Sequence, residues 1–129
     1  QYQAKLMLNA EAGSWGGRAD GLHLSSQRLR VCHDRPVSID TLFGASCHNA
    51  EEVQYALSVG ADYILLSPVL PTPSHTGEPV LGWPAFSGLL RDCALPVFAL
   101  GGLGRDDLAL ARTHGAHGIA LKSQAWSTA

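Results

Sequence analysis

Charge is scarce in this chain. Asp, Glu, Lys and Arg supply 16% of 129 residues, and the formal net charge is −2. So small a balance provides no electrostatic ground for a nucleic-acid partner or an acidic membrane surface, and a small molecule is the expected partner. Long apolar runs are missing as well. Nothing approaches the ~18 residues of a membrane-spanning helix, and no signal peptide is visible. Cysteine is limited to Cys32, Cys47 and Cys93, an odd number without CxxC spacing. That pattern argues against a disulfide framework and predicts reduced thiols in a cytoplasmic protein. The histidines show no metal-ligand spacing, and the neighbours Cys47 and His48 do not form a zinc pattern. GxSxG, P-loop and GxGxxG motifs are absent. Trp15, Trp83 and Trp126 are scattered, as packing residues are, rather than gathered as a stacking platform.

What is present is a repeated phrase. Ala19-Asp20-Gly21-Leu22-His23-Leu24-Ser25 returns as Ala61-Asp62-Tyr63-Ile64-Leu65-Leu66-Ser67, and again from Ala116 to Ser123. The later copies follow Gly60 and Gly115, each closing a helix-like stretch. Each copy reads as a turn on small residues, then a short apolar strand ending on a small polar residue. That is the signature of repeated βα units, and it sets polar groups at the carboxyl ends of parallel strands, where such folds keep their chemistry. A hydrophobic content of 46% suits one domain with a substantial core.

Read in order, strands are predicted at residues 5–9, 21–25, 42–46, 63–69, 97–100 and 119–121. The unbroken apolar character of the fourth predicts burial on both faces. Residues 27–31 suggest one helical turn. A helix follows Asn49, its N-cap, with Glu52 completing a capping box, Val53, Ala56 and Leu57 inward, and Gly60 as its stop. Residues 71–82 read as a long loop. Pro84 is expected to open a helix bearing Phe86, Leu89 and Leu90, and residues 105–114 form another with Leu108 and Ala111 inward. A last helix is suggested at 124–126. Without hairpin signals the sheet should be parallel with right-handed crossovers. A closed eight-stranded barrel usually needs ~200 residues or more, so the alternatives are an open doubly wound sheet or a barrel lacking two units.

Gly101-Gly102 lies between a strand and a helix, where glycines let backbone N–H groups approach an anion closely. Lys122-Ser123 occupies the next strand end, and together the two ends point to a phosphate site. Thr72, Ser74 and His75, in the proline-rich loop, are further candidates for phosphate oxygens. His23 and His48 are expected to be hydrogen-bonded core histidines rather than catalytic groups.

In order and spacing these phrases resemble the thiamine phosphate synthase and thiazole tautomerase family. The family phrases I-N-D, G-A-D-G-V-H-L-G-Q-x-D, G-x-S-x-H, G-P-V-F-P-T-x-T-K, I-G-G-I and G-A-D-G-V-A-V-V-S have counterparts across nearly the whole chain. They are Leu8 to Ala10, Ala19 to Arg28, Gly44 to His48, Ser67 to His75, Leu100 to Leu103 and Gly115 to Ser123. The resemblance implies an α/β fold, a (β/α) TIM barrel of the thiamine phosphate synthase type, present as about six of eight βα units in a single domain. It implies that Thr72, Ser74, Gly101, Gly102, Lys122 and Ser123 hold a thiazole phosphate, and that Asn9 and Ser46 are pyrimidine-side contacts. Magnesium is expected for the family, but Ala10 and Arg28 replace its two aspartates, His75 replaces the loop lysine, and Pro68 stands where the tautomerase branch often carries histidine.

Three readings follow. One is a transferase-family domain of thiamine biosynthesis or salvage that binds a thiazole phosphate-type ligand with a degenerate metal and diphosphate site. Another is a non-catalytic ligand-binding or regulatory domain attached to a Nudix-type nucleotide hydrolase. A third is a sugar-phosphate isomerase on the same fold. The start at Gln1-Tyr2 predicts a piece of a longer protein, and the outer strands are expected to be covered by missing residues or by a homo-oligomeric partner.

Overall fold

The computed structural model describes residues 3–11, 16–17, 19–73, 77–122 and 125. Six strands lie in one sheet in chain order, from β1 (Met7–Asn9), β2 (Gly21–Leu24) and β3 (Leu42–Cys47) to β4 (Tyr63–Leu66), β5 (Val97–Ala99) and β6 (Gly118–Ile119). Strands β1 and β2, β2 and β3, and β5 and β6 pair in parallel. Helices α1 (Ser26–Arg30), α2 (Ala50–Ser58), α3 (Gly82–Leu90) and α4 (Leu108–Thr113) alternate with the strands. The alternation expected of βα units is therefore observed. Two compact units are distinguished, Gln1–Ile64 and Leu65–Ala129.

In the first unit the repeated phrase has a direct structural meaning. Asp20 donates its N–H to the Leu6 carbonyl at 2.8 Å, while its carboxylate accepts from the Leu6 N–H at 2.8 Å. Asp62 makes the same pair of bonds one repeat later, N–H to Phe43 O at 2.7 Å and Phe43 N–H to carboxylate at 2.9 Å. The phrase is thus a clamp that aligns each strand with its predecessor at the amino end. Arg35 reinforces the second clamp. Its guanidinium bonds Asp62 at 3.0 Å and the Thr41 carbonyl at 2.6 Å, donates to the Gly60 carbonyl, and lies 5.7 Å from the Phe43 ring centroid.

Helix α2 begins as the sequence suggests, with the Asn49 side chain accepting from Glu52 N–H at 2.8 Å. The return arm differs. The Glu52 carboxylate takes the N–H of His48, at 2.8 Å, one residue before the cap. Its other oxygen holds Arg30 at 2.5 Å, tying α1 to α2. Burial pushes the Glu52 carboxyl up, but Arg30 and the two His48 contacts outweigh that and hold it below its ordinary value. Val53 and Ala56 face inward, and Leu57 is half-buried.

The expectation for the fourth strand is corrected. Strand β4 ends at Leu66, and only Ile64 and Leu66 are buried, alternating with half-buried Tyr63 and Leu65. Pro68 has no N–H to continue the ladder. Backbone pairing nevertheless resumes past it, from Val69 N–H to Leu100 O and Leu70 N–H to Gly101 O, both at 3.0 Å. Helix α3 starts at Gly82, two residues before Pro84, and buries Phe86. Trp83 packs on Phe86 edge-on and stacks on His114 at 5.0 Å, a packing role as expected; Trp15 and Trp126 lie outside the described residues. The expected helix at 105–114 opens with a 3-10 turn, Arg105–Asp107, whose Asp107 carboxylate accepts from Gly104 N–H at 2.8 Å. Ala111 is buried and Leu108 half-buried. In the third copy of the phrase His117 replaces the aspartate. It keeps the backbone bond, to Val97 O at 2.8 Å, and sets its ring edge-on to Phe98 at 5.4 Å. Of the suggested last helix only Ala125 is described.

Candidate functional site

Register decides which side chains share a face. Asn9 pairs with His23, and His23 with Gly44. Neighbours in a parallel pair project to the same side, and residues two apart along a strand do likewise, so Asn9, His23, Gly44 and Ser46 lie on one face. The alternate positions, Leu22, Leu24, Phe43, Ala45 and Cys47, are fully buried. The first unit therefore has one apolar face and one that carries polar groups.

His23 is the centre of that polar face. It is 6% exposed, its Nδ1 lies 2.9 Å from the Tyr63 hydroxyl, and its Nε2 lies 2.7 Å from Ser46 Oγ. The His23 and Tyr63 rings also stack at 5.8 Å. Burial lowers the His23 pKa to about 4, so the imidazole is neutral at neutral pH, and burial pushes the Tyr63 phenol up to about 12. Gly44 makes room for this arrangement, because a Cβ there would stand 2.0 Å from the Tyr63 ring. His23 is thus the hydrogen-bonded, buried histidine that the sequence suggests. Its link to Ser46 and Tyr63 is new. Tyr63 escapes sequence reasoning because it occupies the third position of the repeated phrase, where the other copies have Gly21 and Gly118 and a spacer is the natural reading. The available signal was Gly44, a glycine inside an apolar strand, which marks close approach by another group.

Asn9 is exposed at the end of β1. Ala10 follows in a bend, and Arg28 sits inside α1, its backbone N–H bonded to the Ser25 cap at 3.3 Å. His48 departs from expectation. It lies at the start of α2 with its side chain 45% exposed and Nδ1 3.0 Å from Glu52, so it serves the helix terminus rather than the core. Among the described residues no three His, Cys, Asp or Glu side chains gather as a metal site would require.

The second unit carries the phosphate candidates. Ala99 pairs with Ile119, so β5 and β6 end side by side, and Gly102 and Lys122 each follow three residues past that last pair. Lys122 is exposed. The two following segments are joined, since Arg105 donates to the Ala125 carbonyl at 2.9 Å and Ala125 N–H to Lys122 O at 3.3 Å. Gly101 and Gly102 have φ of 113° and 68°, a region that favours glycine. A Cβ on Gly101 would lie 2.8 Å from Pro68 Cα, and one on Gly102 2.5 Å from the Pro71 carbonyl oxygen. The glycine pair thus has a reason the sequence did not suggest: it admits the protein's own 68–71 backbone against the end of β5. Thr72 is half-buried in the loop that continues from there, while Ser74, His75 and Ser123 lie outside the described residues.

The chain is 32% identical over 121 residues to the Aquifex aeolicus protein named "Putative thiamine-phosphate synthase 2", covering 93% of this chain and 65% of that protein. It is 35% identical over 109 residues to the thiamine-phosphate synthase of Myxococcus xanthus, covering 83% of this chain and 50% of the relative. The chain therefore spans about half to two thirds of the length of these relatives. Its fold is similar to that of thiamine phosphate pyrophosphorylase from Pyrococcus furiosus, with a TM-score of 0.70 and 24% identity over 93% of this chain and 58% of that structure. The thiamine monophosphate synthase family matches residues 1–125, from the first strand through the strand ends that hold the phosphate candidates. On that match, nearly end to end, the chain belongs to the thiamine monophosphate synthase family.

Proposed function

We propose that this domain binds a small phosphorylated ligand of the thiazole phosphate type at the ends of β5 and β6. The observation that supports this reading is that β5 and β6 pair to their ends, Ala99 beside Ile119, with Gly102 and Lys122 each following three residues on. In this reading a lysine ammonium and backbone N–H groups serve the anionic group, with Thr72 in the following loop. Ser74, His75 and Ser123 belong to the same reading by their family positions. Asn9 and Ser46, on the polar face of the first unit, are the pyrimidine-side contacts. We take the six parallel strands to be six of the eight of a (β/α) barrel.

Magnesium fits this chain poorly. It takes oxygen ligands, usually carboxylates. Ala10 offers no side-chain oxygen and Arg28 is a permanent cation. Synthase turnover, in which a pyrimidine diphosphate is joined to thiazole phosphate, is accordingly weak or lost in this reading. Calorimetric titration of thiazole phosphate and of the pyrimidine diphosphate, each with and without magnesium, tests it. The expected result is thiazole phosphate binding that ignores magnesium; tight, magnesium-dependent uptake of the diphosphate would overturn it. Replacement of the two carboxylates also favours a second reading, a non-catalytic binding domain attached to a Nudix-type hydrolase. Measurable condensation of the two substrates by the full-length protein would eliminate that one.

A further inference from the structure

We propose that His23 is a positioning residue, held by Tyr63 as the Nε2–H tautomer, which leaves Ser46 to present its hydroxyl as a hydrogen-bond donor at the carboxyl end of β3. The inference starts from a constraint of valence. A neutral imidazole has one N–H and one lone pair, so its two contacts must run in opposite senses. Either Tyr63 donates to Nδ1 and Nε2–H donates to Ser46, or Ser46 donates to Nε2 and Nδ1–H donates to Tyr63. The imidazole is neutral because it is buried, and no carboxylate contributes to its titration.

Acidity selects between the two senses. A phenol is a far stronger acid than an aliphatic alcohol, and so the better donor and the poorer acceptor. The favoured chain runs from Tyr63 O–H to Nδ1, then from Nε2–H to Ser46 Oγ. Packing holds the Tyr63 contact in place. The Tyr63 ring lies over Gly44 where no side chain could be, so its hydroxyl is delivered to Nδ1 by a packed surface. Ser46 then uses a lone pair on His23 and keeps its hydrogen, which has no other acceptor among the described residues. A group so arranged favours ligands that bring an acceptor, such as an unprotonated ring nitrogen or an anionic oxygen, over ones that bring an N–H. This deepens the family reading for the Ser46 side of the site, and it rests on that reading only for which ligand arrives.

Long-range 1H–15N correlation of the His23 ring at pH 7 tests the tautomer without any ligand. The expected spectrum shows a protonated Nε2 and an unprotonated Nδ1. Ser46→Ala should leave that pattern in place, whereas Tyr63→Phe should move it toward a mixture of tautomers. A protonated Nδ1 in the unaltered protein, or a Tyr63→Phe spectrum identical to it, overturns the proposal. A binding arm separates its failure from that of the family reading. Against the pyrimidine diphosphate, Ser46→Ala should weaken affinity about tenfold, as loss of one good hydrogen bond does, and Ser46→Thr should restore most of it. Equal affinities for the Ala and Thr variants would count against the donor role. No binding of the pyrimidine by any form, beside the expected spectrum, would sink the ligand assignment alone.

Discussion

At the scale of single residues, the groups that matter most are those whose surroundings leave them one chemical state. His23 has an ordinary pKa of 6.5 and a folded value of about 4. Between those values the unfolded chain binds a proton that the folded chain refuses, so stability is full above pH 6.5 and drains away as pH falls toward 4. The span amounts to about 3 kcal/mol. Urea midpoints measured at pH 7 and pH 4.5 should show this loss, and His23→Gln should flatten the difference between them. Gly44 gives a second prediction. Gly44→Ala drives a methyl into the Tyr63 ring and should cost about 1–3 kcal/mol in urea denaturation, with part of the cost recovered when Tyr63 is also cut back to Ala. Sequence reasoning reached His23 itself as a histidine on a strand, which is more often hydrogen-bonded in a core than catalytic. It missed Tyr63 because a phenol aimed across strands has no local sequence pattern.

At the scale of elements, β2, β4 and β6 were legible because each repeated phrase announces one, and the other three as short apolar runs. Their ends were less so: β4 stops at Leu66 and β6 at Ile119, shorter than their apolar runs. Apolar character continues past the point where a proline or a turn breaks the ladder, and composition alone does not register that break. The start of α2 was readable from Asn49 and Glu52, but not the redirected carboxylate, since His48 and Arg30 compete for it only once α1 and α2 are packed. The aspartate clamps supply a test at this scale. Asp62→Ala removes the bonds to Phe43 N–H and Arg35 and should destabilise the protein by about 1–3 kcal/mol. Amide hydrogen exchange should show the loss of protection centred on Phe43.

For the molecule as a whole, the family and the parallel order of strands were written across the chain, because both depend on phrases spread from the first strand to the last. The phosphate corner was legible only as residue types: glycines read as anion seats also admit the 68–71 backbone, and nothing local separates those two uses. Lys122→Ala should nonetheless weaken thiazole phosphate binding about tenfold in calorimetry, and raising salt should narrow the gap between the two forms. Both clamps, at Asp20 and Asp62, grip the end where a strand begins, while Asn9, Ser46, Gly102 and Lys122 stand where strands finish. In the first unit, alignment is thereby settled before the strands reach their carboxyl ends. Residues at those strand ends can be exchanged while the strands beneath keep their places. A scaffold whose alignment is fixed at one end leaves the residues at the other free to vary without disturbing the fold.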